Sequence, residues 1–254
     1  MSTKDSDYMR NYRARVKANG GKPLGKKLFQ KGWNKKNTTP AEDYTTSVDD
    51  GHGSVINLDK PLVYGSPASM SDDVRFMIDA FEDKRRDMKV EYGILIDAMG
   101  RVLETKRGGK GSVAMSSRNW NQSYAMSHSH PAGGRIGGTF SDADLSAFIY
   151  SPTQIMRAAA AEGTYSMTKT NSFNGRELRR AFIGEFGSYG TRRMESLKVE
   201  NAIASEFKNG DITYSEYEQK HYKNFNNLLV DMHNWFSDNQ NTYGYSYTLE
   251  RRRK

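Results

Sequence analysis

The segment KVEYGILIDAMGRVLETKRGG, residues 89–109, sets the tightest limit on what this chain can fold into. Two apolar runs flank a turn-forming stretch at Asp97–Gly100, which reads as a β-hairpin. Ahead of it, SDDVRFMIDAFEDKRRD places Val74, Met77, Ile78 and Phe81 on one helical face. Ser71 stands where it can cap that helix, with Asp72 and Asp73 at its positive end. QSYAMSHSH follows as a third strand, SDADLSAFIY opens a second helix, and a further strand falls near Thr164–Thr170. Helix, hairpin, strand, helix, strand is the order of an α+β core in which helices flank a mixed sheet.

The flanks read differently. Residues 1–36 hold eleven Lys/Arg against Asp5 and Asp7, more than the net charge of +8 for the whole chain. They lack the apolar content to fold alone, so they read as a flexible basic arm that nucleic acid or an acidic protein surface would attract. Residues 37–70, broken by Thr, Ser, Gly and Pro, read as a linker, with His52 a solvent-exposed loop residue. Residues 71–170 form the core domain. Residues 171–254 form a helical C-terminal region with the basic tail LERRRK. In that region Gly210 ends one helix, and Thr213 with Glu216 forms a capping box for the next. Tyr214, Tyr217, Phe225, Leu228, Met232 and Phe236 follow at helical spacing. This face packs on the core ahead of serving, within 211–236, as an oligomer or assembly contact.

Function classes narrow from here. The chain has no cysteine, which excludes disulfides, thiolate catalysis and cysteine metal ligands. No apolar run approaches the ~20 residues of a membrane helix, and MSTKDSDYMRNYRARVK has no apolar signal core. The expected location is therefore cytoplasmic, or virion-associated if phage-encoded, without secretion by a classical signal. The mean hydropathy of −0.83 fits one packed core with polar flanks. GGKGS at Gly108–Ser112 lacks the full phosphate-loop frame and reads as a loop. Trp120 reads as a core residue ahead of a groove residue, and RAAAAEG as a tightly packed segment.

The chemistry gathers in AMSHSHPAGGRIGGTFSDAD, residues 125–144. Alternate residues of a strand share a face, so His128 and His130 offer two imidazoles to one side. Pro131 ends the strand. Ser141 stands at a helix N-cap, and Asp144 in the first turn suits the dipole. If the glycine-rich loop folds back, Asp144 faces the histidines. Two histidines and one carboxylate leave a fourth zinc position for water, as a catalytic site requires. Hydrolysis also needs a proton acceptor, and Glu91, leading into an apolar strand, is a candidate.

Glu91 before an apolar strand, then HSHP, then SDAD in the register S-x-x-D, resembles the JAB/MPN/JAMM zinc metallopeptidases, RadC-like relatives included, over roughly residues 71–170. The resemblance implies a JAB/MPN-like fold with cytidine-deaminase-like layering. It implies that His128, His130 and Asp144 bind Zn²⁺. Glu91 would then be the general base for the metal water, and Ser141 would donate to the tetrahedral oxyanion. The implied reaction is cleavage of a peptide or isopeptide bond in a protein substrate, ubiquitin-like or of phage or bacterial origin. Related folds also serve as non-catalytic modules in virion or nucleoprotein assemblies and as RadC-like nucleic-acid-associated proteins. One departure stands out. Ten residues separate His130 from Ser141, about three more than the family spacing, and they lie where added loop length costs little.

Overall fold

The computed structural model describes residues 44–49, 55–131 and 136–252, with the backbone alone up to residue 57. The arm at 1–36, His52 and residues 132–135 of the glycine-rich loop lie outside them. A two-stranded antiparallel ribbon, β1 (Tyr44–Asp49) and β2 (Val55–Val63), comes first. Then follow α1 (Asp72–Arg85), β3 (Tyr92–Ile96), β4 (Val102–Arg107), α2 (Ser117–Trp120), β5 (Ala125–Ser129), α3 (Asp142–Ile149), β6 (Ile155–Ala159) and β7 (Gly163–Lys169). The remainder is α4 (Gly175–Phe186), α5 (Thr191–Asn209), α6 (Tyr214–Asp238), the short α7 (Gln240–Tyr243) and β8 (Tyr245–Arg251). Six strands form one mixed sheet in the order β4-β3-β5-β6-β7-β8. Every pairing is antiparallel except β5–β6, whose crossover contains α3.

Strand alternation assigns the two faces. Leu95, Met126, Met156, Met167 and Tyr247 form one row across the sheet. They join Phe140, Phe148, Phe182 and Phe236 in the main core under α3, α4 and α6. The opposite face carries Ile94, Ile96, Ala125 and Ile155, covered by Val74, Met77, Ile78 and Phe81 of α1. Helices on both faces of a sheet are therefore the observed layering, with a helical C-terminal region attached. The expected face of α1 is the one buried, although the Ser71 side chain makes no capping bond.

Beneath α1 the sheet also buries charge. Arg157 on β6 donates to both carboxylate oxygens of Glu82, at 2.7 and 2.9 Å, and to Glu250 at 2.7 Å. Glu250 in turn accepts from Arg75 and from the Ala68 N–H. Burial opposes ionisation of Glu82, but the Arg157 guanidinium overrides it and brings the carboxyl down to about 2. This network ties α1, β6 and β8 together.

Two segments differ from the sequence reading. Part of the stretch read as linker is strand, and Leu58 and Leu62 of β2 are buried in the main core against the C-terminal region. The Val63 carbonyl meets Nε2 of the buried His233, and Lys60 pairs with Asp231 at 2.6 Å. Likewise the region read as helical ends in β8, which completes the sheet along β7. Among the described residues no helix is long and apolar enough to cross a membrane.

Candidate metal centre

Pairing register builds the site. Gly93 of β3 lies opposite His128 of β5, on the sheet face that bears the main core. Two residues before Gly93, Glu91 falls on that same face. Glu91 extends the hairpin through backbone bonds with Gly108 and Gly109, which hold its position. Met115 and Val113 pack close to Gly93, where a Cβ would lie 2.9 Å from Sδ of Met115 and that side chain would have to shift. His130 follows the end of β5, its N–H bonded to the Ala159 carbonyl.

The helix supplies the carboxylate. Ser141 and Asp144 form a capping box in which the Asp144 N–H donates to Ser141 Oγ, while the Ser141 N–H and hydroxyl donate to Asp144 Oδ2 at 2.8 and 2.7 Å. Oδ2 is thus committed, and Oδ1 faces Nε2 of His128 at 3.2 Å. The two imidazole Nε2 atoms are 2.8 Å apart, and His130 Nε2 lies 4.0 Å from Asp144 Oδ2. His128, His130 and Asp144 can hold a metal ion, with one donor atom from each lying within 4.8 Å of the others. Tetrahedral zinc with bonds of about 2.0–2.1 Å sets its donors about 3.3 Å apart, close to the 2.8 Å between the two Nε2 atoms and the 3.2 Å between His128 Nε2 and Asp144 Oδ1.

The protons fit a metal as well. The Gly138 carbonyl can only accept, so His130 Nδ1, 3.0 Å away, carries the proton and leaves a lone pair on Nε2. Nε2 of His128 lies between that lone pair and Asp144 Oδ1, so the three donor atoms converge on one point. Burial opposes charging His128, yet Asp144 and then Glu91 outweigh it and raise its pKa. Burial, followed by the charge on His128, pushes His130 down to about 4. Burial would raise Asp144, but His128 holds it well below the usual carboxylate range. Glu91 shifts upward, chiefly by burial, with Asp144 adding to the rise and His128 opposing it.

All five residues singled out in the sequence, Glu91, His128, His130, Ser141 and Asp144, line one cleft of about 570 Å³. Further residues that support the site carry no local signal. Glu162, in the turn between β6 and β7, is buried and accepts from the N–H groups of Gly137 and Gly138 at 2.9 and 3.0 Å and from the Tyr165 hydroxyl at 2.7 Å. It thereby holds the Gly137–Gly138 segment of the loop whose next carbonyl, that of Gly138, meets His130. Tyr247 donates to Thr139 in the same loop. Gly138 sits at φ 77°, and a Cβ there would meet Leu229 of α6 at 2.9 Å. Trp120 packs partly on the main core and also lines the cleft. No protein-family model, no curated protein and no solved structure matches this chain.

Proposed function

We propose that the chain is a zinc-dependent hydrolase of the JAB/MPN/JAMM type that cleaves a peptide or isopeptide bond. The observation that carries this reading is the convergence of His128, His130 and Asp144 with a separate carboxyl group, Glu91, in one cleft. His128, His130 and Asp144 would hold the ion. Zn²⁺ supplies Lewis acidity and acidifies water. Glu91 takes the proton of the attacking water and returns it to the leaving amine. Its upward-shifted pKa suits both halves of that task, because a base works best when its pKa approaches the operating pH. Glu162 and the Gly138 carbonyl keep His130 in the tautomer that presents Nε2. For Ser141 to donate to an oxyanion its hydroxyl must turn from Asp144 Oδ2, which the Ser141 N–H continues to hold.

The test is Glu91→Gln on zinc-loaded protein with a peptide library read by mass spectrometry. Wild type cleaves, and the variant retains zinc and loses turnover. Cleavage unchanged in the variant removes Glu91 from the mechanism. The commitment of the Ser141 hydroxyl to Asp144 favours a second reading, in which the fold and the ion serve a non-catalytic assembly module. That reading expects zinc without cleavage in wild type.

A further inference from the structure

The cleft has a wall that the metal ligands do not use. On α6, Phe225, Leu229 and Met232 recur at i, i+4 and i+7, which places them on one helical face. All three line the cleft and are half-buried, whereas their neighbours Leu228, Val230 and Phe236 are sealed in the core. Facing the same space are Val113, Met115 and Trp120, also half-buried, from the stretch that leads into and through α2. Among the described residues, apart from the three donors and Glu91, the charge lining this cleft is that of Lys110. The volume, about 570 Å³, is that of a small-ligand pocket.

We propose that this wall is a side-chain pocket, and that the preferred ligand carries a leucine- or phenylalanine-sized apolar residue beside the group held at His128, His130 and Asp144. The proposal rests on the metal-hydrolase reading and adds a substrate class to it. A ligand whose reacting group lies at the donors has its neighbouring substituent against Phe225, Met232 and the facing Trp120. An apolar substituent removes these side chains from water, whereas a run of glycines leaves them wet. Among the described residues, a phosphate-rich strand would find Lys110 as its cation in the cleft and three carboxyl groups against it, Glu91, Asp144 and, behind the loop, Glu162. The C-terminal region thus contributes directly to substrate choice.

The experiment uses the zinc-loaded full chain and two probes that chelate through the same group, N-acetyl-leucine hydroxamate and N-acetyl-glycine hydroxamate, measured by calorimetry. The leucine probe is expected to bind about tenfold or more tightly than the glycine probe, as one buried aliphatic side chain warrants. Phe225→Gln and Met232→Gln are each expected to shrink that ratio while zinc content and glycine-probe affinity stay at wild-type values. Equal affinity of the two probes for zinc-loaded wild type overturns the pocket and leaves the metal site standing. A ratio unchanged in both variants overturns the assignment of the wall to α6. Absence of zinc from the protein overturns both readings together.

Discussion

Replacing Glu162 with glutamine perturbs the imidazole His130 without touching it. The carboxylate accepts three bonds, from Gly137 N–H, Gly138 N–H and the Tyr165 hydroxyl. Glutamine keeps one acceptor oxygen and turns an amide donor toward a backbone N–H. At least one bond to a charged acceptor is lost, about 1.5–3 kcal/mol. Taking ~2 kcal/mol, the melting temperature of a chain this size falls by about 4–8 °C. The Gly137–Gly138 segment loses part of its anchor, and the Gly138 carbonyl that selects the His130 tautomer is held less firmly. Outer partners of metal-binding histidines are typically worth about 10–100-fold in affinity, so zinc binding, measured by competition with a chromophoric chelator, weakens by that factor. Tyr165→Phe is the control. It removes one bond to Glu162 but leaves both glycine N–H bonds, so it costs a similar amount of stability, about 1.5–3 kcal/mol, with zinc affinity near wild type. Wild-type zinc affinity in Glu162→Gln would refute the positioning role, as would an equal loss in Tyr165→Phe.

Two further outcomes concern stability. Glu82 is held near 2 in the folded chain against an ordinary value of 4.5, so its contribution is complete above about pH 4.5 and is lost as pH falls toward 2. The full span is on the order of 3 kcal/mol. Urea denaturation at pH 6 and pH 3 should therefore show a loss in wild type that Glu82→Gln reduces by about 2 kcal/mol, and an unchanged pH slope in the variant contradicts the assignment. Gly138→Ala should cost about 1–2 kcal/mol from the left-handed backbone alone, and more from contact with Leu229. An unaltered denaturation midpoint would show that the loop can rearrange freely.

Local spacing made the centre of this protein readable. Val74, Met77, Ile78 and Phe81 pack as their helical period requires. The alternation of His128 and His130, and the three-residue step from Ser141 to Asp144, are short-range facts that survive folding unchanged. The step also makes a capping box, so the same residues satisfy an ordinary helix start and a ligand position at once. What sequence did not reveal depends on distant partners. β2 contains Asp59, Lys60 and Pro61 amid its apolar residues, and its burial comes from α6, some 170 positions away. β8 alternates Tyr245, Tyr247 and Leu249 inward but lies beside a basic tail that masks the pattern. Glu162 is one acid in an alanine run, and its purpose appears only when the loop at Gly137–Gly138 closes on it. Phe225 and Met232 continue a helical stripe, and nothing local separates a residue that fills a core from one that lines a cleft.

Everything proposed for this chain depends on His128, His130 and Asp144 binding a metal ion. The most direct measurement is zinc per chain by plasma mass spectrometry, on wild type and on a His128→Ala/His130→Ala variant, both after metal supplementation. About one zinc is expected in wild type and essentially none in the variant. No zinc in wild type, or equal zinc in both, would contradict it and leave a strand end beside a helix cap.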